Sequence, residues 1–148
     1  EKKYTFISTA MSTMKDIVTA VKIFKKSNCK FELMHCHGSY PMNPKEANLN
    51  MIKTLQKKFK CNVGYSGHEI SATDISIPAV MMGATSIERH FTLNRAFYGH
   101  DQAASLEPDG LRRLVRSIRV IDKIMGDGKK RVWETELDAS KKLRQKFV

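Results

Sequence analysis

The sequence predicts an α/β fold, the carboxyl-terminal half of a (β/α)8 barrel made of four βα units and followed by a linker segment. Two observations carry that prediction. Four apolar runs each end in polar, chemically capable side chains, and an amphipathic helical pattern follows each run; reactive groups at the carboxyl ends of successive strands are how a parallel barrel builds a site on one face. The chain has 148 residues, enough for one core, whereas a complete eight-unit barrel needs about 250. The first strand starts almost at Glu1, so the sequence reads as the second half of a longer chain, with residues 1–126 as the partial barrel and 127–148 as the linker.

The first run, through Phe6 and Ile7, ends in Ser8 and Thr9. Between Lys15 and Lys26, the three- and four-residue spacing of Ile17, Val18, Val21 and Phe24 predicts a helix that Asn28 ends. The second run, through Leu33 and Met34, leads into His35-Cys36-His37-Gly38-Ser39-Tyr40. Pro41 and Pro44 forbid regular helix, which is expected to resume near Glu46 or Ala47 and continue through Leu49, Ile52 and Leu55 to Phe59.

Asn62–Tyr65 is expected as the third strand, with Ser66 and Gly67 in the turn after it, where a glycine permits close approach or positive φ. Thr73–Met82 is a helical pattern with Pro78 inside it, so the helix is kinked or starts late, and Gly83 stops it. Thr85–Phe91 is the expected fourth strand, and Asn94–Pro108 a long polar loop of the kind that carries function. The last helix begins at Pro108 or Asp109, with Leu111, Leu114, Val115, Ile118, Ile121 and Met125 expected on its buried side. Gly126-Asp127-Gly128 marks the domain edge, and the basic stretch beyond it has no strand pattern.

The formal charge of +11 falls largely on helical segments where cations alternate with apolar residues, the pattern of a wet helix face. No nucleic-acid motif accompanies it, so no nucleic-acid partner is expected, and an anionic small substrate suits the excess better. No run approaches the ~18 apolar residues of a membrane span. Three cysteines without a CxxC pair leave one unmatched in any disulfide scheme, which argues for a reducing cytoplasm; each is expected to be a small buried hydrophobe.

His68 and His90 each follow a strand core and can meet at one barrel mouth. Two neutral imidazoles on adjacent strands can hold a borderline divalent cation, or each ring can be hydrogen-bonded within a packed barrel. Glu88 lies two residues before His90, so strand alternation sends both into the barrel while Arg89 points outward. A carboxylate there can act as a base, or it can pair with a lysine from outside this segment.

Taken together, GYSGHE at Gly64–Glu69, IERHFTL at Ile87–Leu93 and SLEP at Ser105–Pro108 resemble the sialic acid synthase family, the N-acetylneuraminate synthases and their legionaminate and pseudaminate relatives. The order of motifs, with HC and SYP at His35–Pro41 and NLNMIKTL at Asn48–Leu55, holds from Ser8 to about Arg144. The resemblance implies a TIM-type synthase barrel that condenses phosphoenolpyruvate with an N-acetylated mannosamine-type sugar and water, releasing phosphate and a nine-carbon 2-keto acid. By that pattern His68 and His90 are ligands of a divalent metal, usually Mn2+ or Mg2+, and Glu88 is the catalytic carboxylate beside it. Ser66 matches a phosphoenolpyruvate contact, and Tyr40 and Asp101 match sugar contacts.

The resemblance also implies a homodimer of the full-length enzyme, with an antifreeze-like domain beyond Lys141–Val148 closing the partner's site, and an inactive isolated segment. His37, Gly38, Gly67 and His100 depart from the commonest family residues, which leaves the sugar open. A sugar- or metal-binding relative without turnover is the rival from another class, and a synthase of another 3-deoxy-keto acid is the nearer rival. Retention of Glu88 with both histidines opposes the first, and the SYP and IERHF strings oppose the second.

Overall fold

A computed structural model describes residues 2–144; the expected threshold at Lys141–Val148 lies partly outside them, at 145–148. The element order is β1 (Thr5–Ser8), α1 (Met14–Lys26), β2 (Phe31–Cys36), α2 (Asn50–Phe59), β3 (Val63–Gly67), α3 (Ser76–Met81), β4 (Ile87–Arg89), α4 (Pro108–Met125) and α5 (Leu137–Leu143), with 3₁₀ turns at Pro44–Glu46, Gln102–Ala104 and Glu134–Glu136. The four strands form one parallel sheet in the order β1-β2-β3-β4, joined by helical crossovers.

Local chemistry places the helix ends. Thr13 caps α1 by accepting from the Asp16 N–H, while the Asp16 carboxylate accepts from the Thr13 N–H at 2.9 Å, a reciprocal capping box. Asn28, at φ 49°, ends the helix where the sequence indicates. Pro78 sits in the first turn of α3, so the helix starts late at Ser76 instead of kinking, and Gly83 at φ 98° stops it. Pro108 occupies the first turn of α4, where its missing N–H costs nothing.

Five sequence expectations change. The helix expected from Glu46 or Ala47 is a 3₁₀ turn at Pro44–Glu46, and α2 begins only at Asn50, because Asn48 takes the left-handed conformation at φ 41°. The third strand runs on to Gly67, so Ser66 and Gly67 belong to the ladder, paired with Glu88 and Arg89, and Gly67 has no positive φ. The fourth strand is only Ile87–Arg89, with a separate bridge between Phe91 and Leu106, since it has a ladder on one side alone. In α4, Leu114 and Ile121 are buried, but Leu111 and Met125 are exposed because nothing among the described residues covers that flank. All three cysteines are half-buried free thiols, not fully buried ones.

The main core lies between sheet and helices: Leu33, Val63 and Tyr65 pack against Ile17 and Val21 of α1, Ile52, Leu55 and Phe59 of α2, and Ala79 of α3. A smaller cluster of Ala72, Leu106 and Leu114 seats α4. The lysines and arginines of α1, α2 and α4 are exposed, as the wet-face pattern requires. The segment after Gly126 carries the short helix α5 and a Trp133 that is largely exposed under Arg131. No described helix is long and apolar enough to cross a membrane.

Candidate functional site

Strand register brings the chemistry together. Cys36, Ser66 and Glu88 are ladder neighbours on the face away from the helices, with His68 and His90 one step further toward the carboxyl rim. One nitrogen of each imidazole and a carboxylate oxygen of Glu88 lie within 4.8 Å of one another. The two rings meet edge to face with centroids 5.1 Å apart.

Second partners fix each group. The Nδ1–H of His68 donates to the His37 carbonyl at 2.6 Å, which assigns the tautomer and leaves Nε2 with its lone pair free. Burial pushes the His68 pKa down, so the ring is neutral near pH 7, the form a cation needs. His90 Nδ1 lies 3.5 Å from the Asp101 carboxylate. The Ser66 hydroxyl donates to Glu88 at 2.5 Å, and the Tyr40 ring stacks on His68 with centroids 3.9 Å apart. Tyr40 comes from the loop after β2, whereas Asp101 leads the 3₁₀ turn in the loop after β4.

That second loop is anchored. Leu106 donates its N–H to the His90 carbonyl at 2.8 Å, and Arg95 donates to the carbonyls of Ser105 at 2.7 Å and Ile70 at 2.9 Å. The six residues named from sequence, Tyr40, Ser66, His68, Glu88, His90 and Asp101, therefore gather at one rim. Two imidazole nitrogens and a carboxylate, with no lysine or arginine among the described residues paired with them, make a donor set that fits a divalent cation with positions left for oxygen ligands.

Sequence reasoning missed the pair directly behind this cluster. Arg89 does point to the helix side, but it is not solvated: its side chain and that of Glu69 are each 2% exposed, and they pair at 2.8 Å. Tyr65 donates its hydroxyl to the other Glu69 oxygen at 2.9 Å, and Ser76 donates to Glu69 at 3.0 Å. Burial and the neighbouring Glu69 charge together hold the Tyr65 phenol far above its ordinary range. The only sequence signal was adjacency, a Glu after one histidine and an Arg before the other.

A parallel half-barrel whose strand ends converge on two histidines and a carboxylate has the layout of a barrel enzyme. The chain belongs to the NeuB family, whose model matches residues 1–130. It is 38% identical over 143 residues to N-acetylneuraminate-9-phosphate synthase of Mus musculus, covering 96% of this chain and 40% of that protein. It is 40% identical over 137 residues to N,N'-diacetyllegionaminic acid synthase of Campylobacter jejuni, covering 90% of this chain and 41% of the relative.

Among solved structures, an N-acetylneuraminic acid synthetase from Leptospira borgpetersenii, crystallised with citrate, superposes with a TM-score of 0.78 at 40% identity, over 95% of this chain and 50% of that one. The chain thus spans about two fifths of the length of these curated relatives.

Proposed function

We propose that this chain supplies the last four βα units of a synthase that joins phosphoenolpyruvate to an N-acetylated mannosamine-type sugar, with water, giving a nine-carbon 2-keto acid and inorganic phosphate. The observation that carries the reading is the convergence of His68, Glu88 and His90 at one rim, with Tyr40, Ser66 and Asp101 around them. The names of the relatives support the product class, since one is an N-acetylneuraminate-9-phosphate synthase and the other an N,N'-diacetyllegionaminic acid synthase.

His68 and His90, with Glu88 close by, would hold a divalent cation, Mn2+ or Mg2+, which would supply Lewis-acid polarisation of the sugar aldehyde. The chain's own groups divide the remaining work. The Tyr40 ring offers an apolar face and a hydroxyl to the sugar, and the half-exposed Asp101 carboxylate can accept from sugar hydroxyls. Ser66 is the phosphoenolpyruvate contact, its hydroxyl turning from Glu88 toward the ligand. Glu88 is the base that takes a proton from the water added at the phosphate-bearing carbon, its carboxylate freed for that task when the Ser66 hydroxyl turns to the ligand.

A chimera tests this directly. Residues 1–130 would replace the matching segment of a full-length NeuB-family synthase, and phosphate release would be followed with each substrate. Release is expected only when phosphoenolpyruvate, the N-acetylated sugar and a divalent cation are all present, and Glu88→Gln should lower it by about 10²-fold or more. A folded chimera that releases no phosphate, or does so without the sugar, contradicts the proposal.

A further inference from the structure

Arg89 lies between Glu88 and His90, and Glu69 directly follows His68, so the buried pair on the helix side is one residue removed from each imidazole. One guanidinium nitrogen of Arg89 reaches the Glu69 carboxylate, the Ser71 carbonyl at 2.9 Å and the Ser76 hydroxyl at 3.1 Å. The other donates to the main-chain carbonyl of Glu69 itself. Arg89 thus grips the peptide that carries His68 onward while its own backbone carries His90. The space it occupies is reserved by Gly67, where a side chain would collide with the Glu69 carboxylate and come within 2.7 Å of the Tyr65 ring.

A β-ladder alone does not achieve this coupling. The β3–β4 pairing ends at Gly67 and Arg89, so both histidines lie beyond the last ladder partners. We propose that Glu69 and Arg89 are positioning residues: their buried ion pair replaces the missing rungs and sets the separation and direction of the His68 and His90 rings. The inference rests on the metal-site reading above for its function, though its geometric content stands apart from it. Groups that orient metal ligands from behind typically change affinity by 10- to 100-fold when altered.

Four variants of the 148-residue chain test it, with Mn2+ affinity read by electron paramagnetic resonance and the His68 and His90 ring resonances read by NMR in metal-free protein. Arg89→Lys and Glu69→Gln are expected to weaken Mn2+ binding about tenfold and to shift both sets of ring resonances. Ser76→Ala removes the hydroxyl's two bonds, to Glu69 and from Arg89, and keeps both charges, and should show the same changes at about threefold; it decides the question if the first two variants do not fold. Ile52→Ala, in the core of α2 and away from the pair, matches a loss of stability without touching the site, and should leave affinity and ring resonances unchanged.

Unchanged rings and affinity in the folded pair variants would overturn the inference, as would equal changes in Ile52→Ala, which would make the effect one of general stability. If the unaltered chain takes up no Mn2+, the metal reading fails, and the metal-free ring resonances still decide whether the pair positions the two histidines.

Discussion

The same four strands have two faces with opposite fates. On the helix side, Leu33 and Val63 are fully buried, and even the charged pair Glu69–Arg89 is enclosed. On the other side Glu32, Met34 and Ser66 are buried, but Phe6 is 59% exposed, Tyr4 is 47% exposed, and Glu88 faces solvent. Each face also carries a tyrosine–glutamate bond, Tyr65 to Glu69 at 2.9 Å on the helix side and Tyr4 to Glu32 at 2.8 Å on the other. The main core of this chain lies on the first face, and the candidate site lies on the second, where the rim residues meet. Division of labour by alternate residues lets a site stay open on strands that are otherwise locked.

Core truncation should break the symmetry most visibly. Leu33→Ala should cost about 2–5 kcal/mol in urea unfolding, since it empties a closed contact, while Phe6→Ala should stay within about 0.5 kcal/mol. Comparable losses at both positions would mean that the second face is covered in solution.

The two tyrosine–glutamate bonds should differ in the same direction. Tyr65→Phe leaves a buried carboxylate oxygen of Glu69 without its donor and should cost about 1.5–3 kcal/mol. Tyr4→Phe should cost less, about 1 kcal/mol, because Tyr4 is itself 47% exposed and water can take the place of its hydroxyl beside Glu32, whose other oxygen keeps Thr85 and Ser86 as donors at 2.7 and 2.5 Å. Chemical denaturation of both variants beside the unaltered chain gives the two numbers.

A smaller effect concerns pH. His35, on the helix side, is held by burial below its ordinary pKa of 6.5, despite its ring bond to the Ala47 carbonyl at 2.8 Å. Its unfolded form takes up a proton as pH falls through that value while the folded form resists, so the stabilisation present above pH 6.5 is lost below it. His35→Gln should flatten the fall in stability between pH 7.5 and 5.5 by up to about one proton's worth of slope, measured by urea titrations across that range.

Much of this was legible in the sequence, for physical reasons. Apolar runs and helical stripes depend on local periodicity, so the strand–helix order, the end of α1 at Asn28 and the late start of α3 at Pro78 could be read directly. The meeting of His68, Glu88 and His90 was readable because parallel strands present alternate residues to a common rim. What depends on neighbours was not. The exposed flank of α4 at Leu111 and Met125, and the shortening of β4 to three residues, follow from which elements have partners. The Glu69–Arg89 pair was hidden because burial of a charge is decided by register across strands, and neither residue type suggests it alone.

His68, Glu88 and His90 would together form one divalent-cation site on the open face. A Mn2+ titration of the chain, followed by electron paramagnetic resonance beside His68→Ala, His90→Ala and Glu88→Gln, tests it most directly. One bound Mn2+ per chain is expected, lost in both histidine variants and about tenfold weaker or more in Glu88→Gln, with circular dichroism unchanged. Mn2+ binding that persists at full strength in either histidine variant would contradict the claim.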